Sequence, residues 1–419
     1  MTRMSTEALA RPEPSIARHF AIALLWLPYN MQWGAFLSIA WPAQIQAVAA
    51  PDKEFWNGVL LGLGAAVSLV VTPLAGAASD RLRGRWGRRK PFLLAGGLAN
   101  IAALLFLGTV GAGGTLTDFA LGLLALQVGA NLWGGPYAAL IPDLIPPSRT
   151  GVASGCMLLM TAFGLGAGAA LASTLTSGGQ FFRLYAIIAL VLALALAFTL
   201  MTISEPTIPA MPRATRRFFP SLAGHPDFYW VLATRALVGM GAFSVTTYLL
   251  YYLQSVAGLD DDAAKRLQFE LMLGGGGVGL LAGLWAAWHS DRIGRKWFVM
   301  FSSAVMAVSS VLYLGGAADP ALWLIWSSAL LFGVGSQIYA AVDWGLALDV
   351  LPAGTDAGKD MGIWHASLVL PQIFGPPLSA FVLTSLKSYP ASVGYTAIFA
   401  LSAFWFVLGS VLVSRVRLR

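Results

Sequence analysis

Long apolar runs alternate with short polar breaks along this chain, and that alternation is its strongest signal. A helix needs about 20 apolar residues to cross roughly 30 Å of hydrocarbon. Runs of that kind fall near residues 20–46, 57–79, 91–112, 117–141, 151–175 and 183–204, then near 228–254, 268–289, 297–316, 321–345, 362–386 and 392–414. The pattern predicts an all-α membrane protein with twelve transmembrane helices in two pseudo-symmetric sets of six. Between the sets, Glu205 to Asp227 holds Pro206, Pro209, Pro212, Pro220 and Pro226 with Arg213, Arg216 and Arg217. Such a segment reads as an extended linker. The expected division is an N-terminal tail over 1–19, a six-helix bundle over 20–204, the linker over 205–227, a second six-helix bundle over 228–414 and a tail over 415–419. The first apolar run continues straight into a full span, so residues 1–19, with Arg3, Arg11 and Arg18, read as a tail and not as a cleavable signal.

Composition agrees. The chain is 57% hydrophobic and 11% charged, against about a quarter charged in soluble domains. The net charge of +7 is spread loop by loop and not along one face, which points to membrane topology and away from nucleic acid. In the twelve-span register, twenty Lys and Arg fall on the side of the termini and five on the other, with Arg235 alone inside a span. Cytoplasmic loops retain positive charge, so both termini are expected in the cytoplasm, with the protein a multi-pass monomer of a bacterial inner membrane. Cys156 is the one cysteine, so no internal disulfide is possible. No His/Cys/Asp/Glu cluster has metal-ligand spacing and no Gly-x-Ser-x-Gly nucleophile turn occurs. The expectation is no enzyme, no metal and no cofactor.

One break stands apart. Residues 76–91 read GAASDRLRGRWGRRKP, and a shorter copy, HSDRIGRK, returns at His289 to Lys296. Gly84, Gly87 and Gly294 permit a sharp reversal. A single copy could be a topogenic loop that only fixes orientation; two copies with the same order of residue types favour a built device. The pattern resembles the signature loop that the major facilitator superfamily carries after its second helix and, more weakly, after its eighth. Gly76 matches that family's glycine four residues before the acid. The first copy departs by three extra residues between its glycines, and the second has Ala287 where the glycine would stand. The halves also share Asp143-Leu-Ile-Pro146 and Asp349-Val-Leu-Pro352, each closing an even-numbered span. The resemblance implies two duplicated bundles with a site between them near midplane. It also implies a cytoplasmic gate formed by Asp80, Arg81, Arg88, Asp143, Asp291, Arg292 and Asp349, latching the halves when the cavity opens outward.

Polar groups inside spans mark pathways when they are not merely helix–helix contacts. Trp33 and Gln44 share a face of the first span, as do Gln127, Asn131 and Gly134 of the fourth. The seventh offers Arg235, Tyr248, Tyr251, Tyr252 and Gln254, the tenth Gln337, Tyr339 and Asp343, and the eleventh His365 and Gln372. Tyr251 and Tyr252, near a span end, read more readily as interfacial anchors. The runs Gly164 to Gly168 and Gly274 to Gly277 read as close-packing helix surfaces.

A narrower resemblance lies in LQVGANLWGGPYAALIPDL (Leu126 to Leu144), MQWGAFLSIAWPAQIQ (Met31 to Gln46) and AGKDMGIWHASLVLPQIFGPPLSA (Ala357 to Ala380). These are similar to the sucrose–proton symporters and their bacterial relatives. That family has an acid where this chain has Gln127, and Gln does not titrate. The likeness implies a secondary transporter of a small polar solute, a sugar or glycoside, working by alternating access with proton coupling. Trp33, Gln44, Gln127, Asn131, Gln337 and Gln372 are the expected solute site. Asp343 with Arg235 is the expected coupling pair, either switching between environments or forming a permanent brace. Rival readings are an exporter of amphipathic, drug-like solutes and a transporter-like assembly factor for a pigment or lipid.

Overall fold

The computed structural model describes residues 15–82, 86–111, 113–145, 150–205, 225–318, 321–350 and 357–417. The first half comprises α1 (Ile16–Ala23), α2 (Trp26–Ala35), α3 (Trp41–Val48), α4 (Lys53–Arg81), α5 (Lys90–Val110), α6 (Leu116–Ala138), α7 (Leu140–Leu144), α8 (Thr150–Ser177) and α9 (Phe181–Thr202). The second comprises α10 (Pro226–Ser255), α11 (Asp261–Ile293), α12 (Arg295–Ala318), α13 (Leu322–Asp349), α14 (Ala357–Ser385) and α15 (Ala391–Val413). Among the described residues, eleven helices are long and apolar enough to cross a membrane. The remaining crossing is α1 to α3. Most of the expected linker, residues 206–224, and most of the N-terminal tail lie outside the described residues.

The first crossing is segmented because of its prolines. Pro28 has no N–H to offer the Leu24 carbonyl, which takes the Leu27 N–H at 3.0 Å instead, and the helix breaks at that turn. Pro42 likewise cannot reach Ser38. The backbone widens into a π turn over Phe36–Ala40, closed by the Trp41 N–H on the Phe36 carbonyl.

Helices α4, α5, α6, α8 and α9 pack with α2 into one bundle, and α10 to α15 into the other. The bundles meet along two seams, α4 on α14 and α8 on α11. These are the second span on the eleventh and the fifth on the eighth. Exchanging the halves turns one seam into the other, as a two-fold axis along the membrane normal requires. Ser15 and Arg417, the first and last described residues, and the described residues of both arginine-rich loops lie at one end, here the basic end; the other is the far end.

Small residues make the first seam close. A Cβ on Gly58 would lie 2.5 Å from the Pro376 carbonyl, and one on Gly62 would lie 2.7 Å from the Ile373 carbonyl. Pro377 has no N–H for that Ile373 carbonyl, so glycine backbone and a freed carbonyl come together. Every hydrogen bond described between the halves lies at the far end. Gln268 Nε2 donates to the Ser38 carbonyl, freed by Pro42, at 2.6 Å. Tyr251 Oη donates to the Pro42 carbonyl at 2.9 Å. Tyr248 Oη reaches the Glu54 carbonyl at 3.2 Å, and Asn57 Nδ2 the Thr247 carbonyl at 3.3 Å. Lys53 bonds Gln254 at 3.2 Å and Lys387 pairs with Asp52 at 2.8 Å.

Gly62→Val should therefore wedge the far end apart. In a Cys156→Ser background, a cysteine replacing the fully buried Asn57 should react with maleimide at least about tenfold faster when Gly62→Val is added. Equal rates would mean that the seam absorbs the wedge.

Candidate functional site

At the basic end, each arginine-rich loop holds its own half. Arg88 and Arg89 grip Asp143 at the end of the fourth crossing, Nη2 at 2.5 Å and Nε at 3.1 Å. Arg89 also reaches Asp80 at 2.7 Å. In the second half Arg295 grips Asp349 at 2.5 Å. The lysine that follows does the same work in both halves. Lys90 Nζ donates to the Leu200 carbonyl at 2.8 Å, capping the sixth crossing. Lys296 Nζ donates to the Ser414 and Val416 carbonyls at 2.7 Å, capping the twelfth. Terminal helix carbonyls lack intrahelical partners and carry partial negative charge, so a cation there satisfies both needs.

Glu205 completes the first clamp. Its carboxylate accepts the N–H groups of Arg88, Arg89 and Lys90 at 2.8 to 3.1 Å, at the N-terminus of α5 where a negative charge is favoured. Gly87 turns the chain into this contact with φ +89°, and a Cβ there would sit 2.6 Å from the Glu205 carboxyl carbon. Arg81 and Arg292 are exposed; the side chain of Asp291 lies outside the described residues. The ion pairs described at the basic end each stay within one half.

Inside the bundles two polar groups stand out. Arg235 Nε lies 3.2 Å from Asp343 Oδ2, both side chains under 10% exposed. Tyr339 lies beside them one turn before Asp343. Arg235 is nine residues into α10, about 14 Å along its axis. In the first half Asn131 Oδ1 accepts Ser68 and Thr72 of α4, each at 2.9 Å. Its Nδ2 donates to the Gln127 carbonyl at 2.7 Å and to Gln127 Oε1 at 3.1 Å. Asn131 is thus fully used in holding Gln127, whose Nε2 has no hydrogen-bond partner among the described residues and stands against Gly64.

The other expected solute residues differ in what they can offer. Trp33 is half-buried, edge-on to Tyr29 and Phe36. Gln372 is half-buried, its amide only 3.5 Å from the Leu368 carbonyl. Gln337 is exposed, its stem against Gly279 and Gly283 of α11. Gln44 is fully buried and fully spent: Nε2 donates to the Leu107 and Gly111 carbonyls at 2.9 and 3.0 Å, and Oε1 accepts Tyr185 at 2.9 Å. It braces the first crossing against α5. The side chain of His365 lies outside the described residues.

The chain matches the Major Facilitator Superfamily model over residues 19–353 and again over 264–419. The chain belongs to the major facilitator superfamily. Its family and fold are those of multi-pass membrane transporters, which are not enzymes. Within the superfamily, it is 28% identical over 180 residues to the sucrose transport protein SUC4 of Arabidopsis thaliana, covering 39% of this chain and 35% of that protein. It is 38% identical over 102 residues to solute carrier family 45 member 3 of Homo sapiens, covering 22% of this chain and 18% of that protein. These matches span about a third or less of the relatives' length. Among solved structures, the nucleoside transporter NupG superposes with a TM-score of 0.73 at 14% identity, over 95% of this chain and 99% of that one. A D-xylose–proton symporter gives 0.70 at 16%, over 94% and 97%. At such identities the likeness establishes the superfamily fold alone.

Two sequence expectations change. Tyr251 and Tyr252 are not interfacial anchors: both are fully buried, Tyr251 as a donor across the seam and Tyr252 in a cluster with Tyr313, Tyr395 and Phe399. Glu205, read as the first linker residue, is the anchor of the superfamily loop. Its signal was available, an acid directly after an apolar run, but only the fold brings it to residues 88–90. Gly87→Ala should lower stability by about 1–2 kcal/mol through left-handed backbone strain, with a further loss as Glu205 is displaced. A thermal midpoint unchanged from wild type would refute this role for the glycine.

Proposed function

We propose that this chain is a proton-coupled secondary transporter of a sugar or glycoside, working as a monomer by alternating access, with the basic end in the cytoplasm of a bacterial inner membrane. The observation that carries the reading is the one-sided closure of the bundles: hydrogen bonds tie the halves at the far end, while each arginine clamp at the basic end closes on its own half. A solute path open at the basic end fits that arrangement. In the outward-open state Asp80, Arg81, Arg88, Asp291 and Arg292 would meet across the basic end, with Asp143 and Asp349 behind them.

In this reading the solute meets Trp33 and Gln127 from the first half and Gln337 and Gln372 from the second, with Asn131 positioning Gln127. Sugars present apolar ring faces and hydroxyl edges, which suit an indole face and amides with unused hydrogen-bonding capacity. The name of the Arabidopsis relative makes sucrose the first solute to try. Gln127→Ala should weaken binding by about 1–3 kcal/mol, measured as sugar-dependent thermal stabilisation of purified protein across mono- and disaccharides. If no sugar stabilises the wild type, the substrate assignment fails.

Coupling is assigned to Asp343 with Arg235. Asp343→Asn should abolish gradient-driven accumulation and retain substrate counterflow, because exchange needs no net proton movement. That variant also leaves Arg235 buried without its counter-charge, which costs about 3–5 kcal/mol where a buried pair is broken; the double variant Asp343→Asn/Arg235→Gln controls for it. Equal loss of both activities, restored together in the double variant, would make the pair a brace.

A further inference from the structure

At the far end, where the halves are tied, a cavity of about 290 Å³ opens between α4 and the loop joining α14 to α15. Its walls come from both halves. From the first come Asp52, Glu54 and Phe55, and from the second Ser255, Tyr389 and Tyr395. Two of these groups are left without partners. Tyr395 is 2% exposed, yet its hydroxyl lies beside Ser255 without a well-formed hydrogen bond. Glu54 is half-buried and its carboxylate has no ion pair among the described residues, because Lys53 is turned to Gln254 and Lys387 to Asp52. A buried hydroxyl without a well-formed partner costs free energy, and a solute hydroxyl reaching it would satisfy it.

We propose that this cavity is a second sugar subsite, an entry site at the mouth of the outward path. The proposal rests on the sugar reading of the transport function. The chemistry suits a polyol. The Glu54 carboxylate accepts two hydroxyl donors at once, the Tyr395 hydroxyl takes a third as donor or acceptor, and the exposed Phe55 and Tyr389 rings offer apolar faces to a pyranose. Lys53 and Lys387 are already engaged with Gln254 and Asp52, so the Glu54 carboxylate is the charged group left to accept from a solute. One wall of the site is the Asp52–Lys387 ion pair that joins the halves. A solute held there rests directly on the closure it must pass.

The test is calorimetric titration of purified protein with sucrose, maltose and D-xylose, comparing wild type with Tyr395→Phe, Glu54→Gln and Gln127→Ala. Tyr395→Phe removes the hydroxyl and keeps the ring, so the fold is retained; Glu54→Gln is an independent second probe. The expected result is two binding steps in the wild type. Tyr395→Phe and Glu54→Gln should each weaken one step by about tenfold or more, a change of about 1.4 kcal/mol, and leave the other in place. Gln127→Ala should do the reverse. A single step, lost in Gln127→Ala and unmoved in Tyr395→Phe and Glu54→Gln, overturns the entry site and spares the transport reading. No binding of any of the three sugars overturns both.

Discussion

The structure depends on a repeated contact between an arginine loop and two helix ends. Arg89–Lys90 and Arg295–Lys296 occupy equivalent places, the arginine on the Asp-x-x-Pro acid of the fourth or tenth crossing and the lysine on the last carbonyls of the sixth or twelfth. Each loop thereby ties three crossings of its own half at the basic end, so each bundle can move as one body. A transporter whose halves rock needs this internal stiffness. Without it, breaking contacts between the bundles would be absorbed by slack within each.

The bond between the halves is of another kind. The α4–α14 seam is glycine against proline, and three of the hydrogen bonds that tie the halves end on the backbone carbonyls of Ser38, which proline leaves free, and of Pro42 and Glu54 at helix starts. Such a seam has little apolar side chain to bury and few groups that become costly when parted, since water can replace a donor to an exposed carbonyl. Closure at the far end is therefore tight in geometry yet modest in free energy. The ion pairs inside each half are the opposite case: Arg89 is 4% exposed, and separating it from Asp143 would strand a buried charge.

The fold was legible because its signals are long-range averages. Span lengths, the two-fold repeat and the bias of basic residues do not depend on any one side chain, and the arginine loops were visible as duplicated text. The choice of partners was legible only in part. The expected gate sets Arg81, Arg88 and Arg292 beside the acids; Arg88 does meet Asp80 and Asp143, while Arg81 and Arg292 are exposed and the further arginines on the acids are Arg89 and Arg295. Gln44 and Asn131 look alike as polar residues on helix faces. Only the packing shows Gln44 consumed by Tyr185 and two carbonyls, and Asn131 consumed in aiming Gln127. Glu54 opens a span, where a charge is ordinary, so its place in the sequence carries no signal. Its significance comes from Tyr395, a residue 341 positions later in the chain.

Asp343 and Arg235 both belong to the second half, one on α13 and one on α10. Rigid rocking of the bundles does not by itself separate them, so a proton on Asp343 cannot act by breaking a bond between halves. A ligand moves a conformational equilibrium only by its difference in affinity for the two states, and for a proton that difference must come from the surroundings of the pair. Helix α10 supplies the connection. Arg235 lies toward its basic end, while Tyr248 and Tyr251, 13 and 16 residues later, are bonded across the far-end seam. Those tyrosines stand about 20–24 Å from Arg235 along one continuous helix. Parting the seam frees that end of α10 together with the neighbouring ends of α11 and α14, and a tilt of α10 would reach its other end, where Arg235 meets Asp343. Coupling through this chain would thus be carried by the attitude of a single helix, with the ion pair reading at one end what the hydroxyls hold at the other.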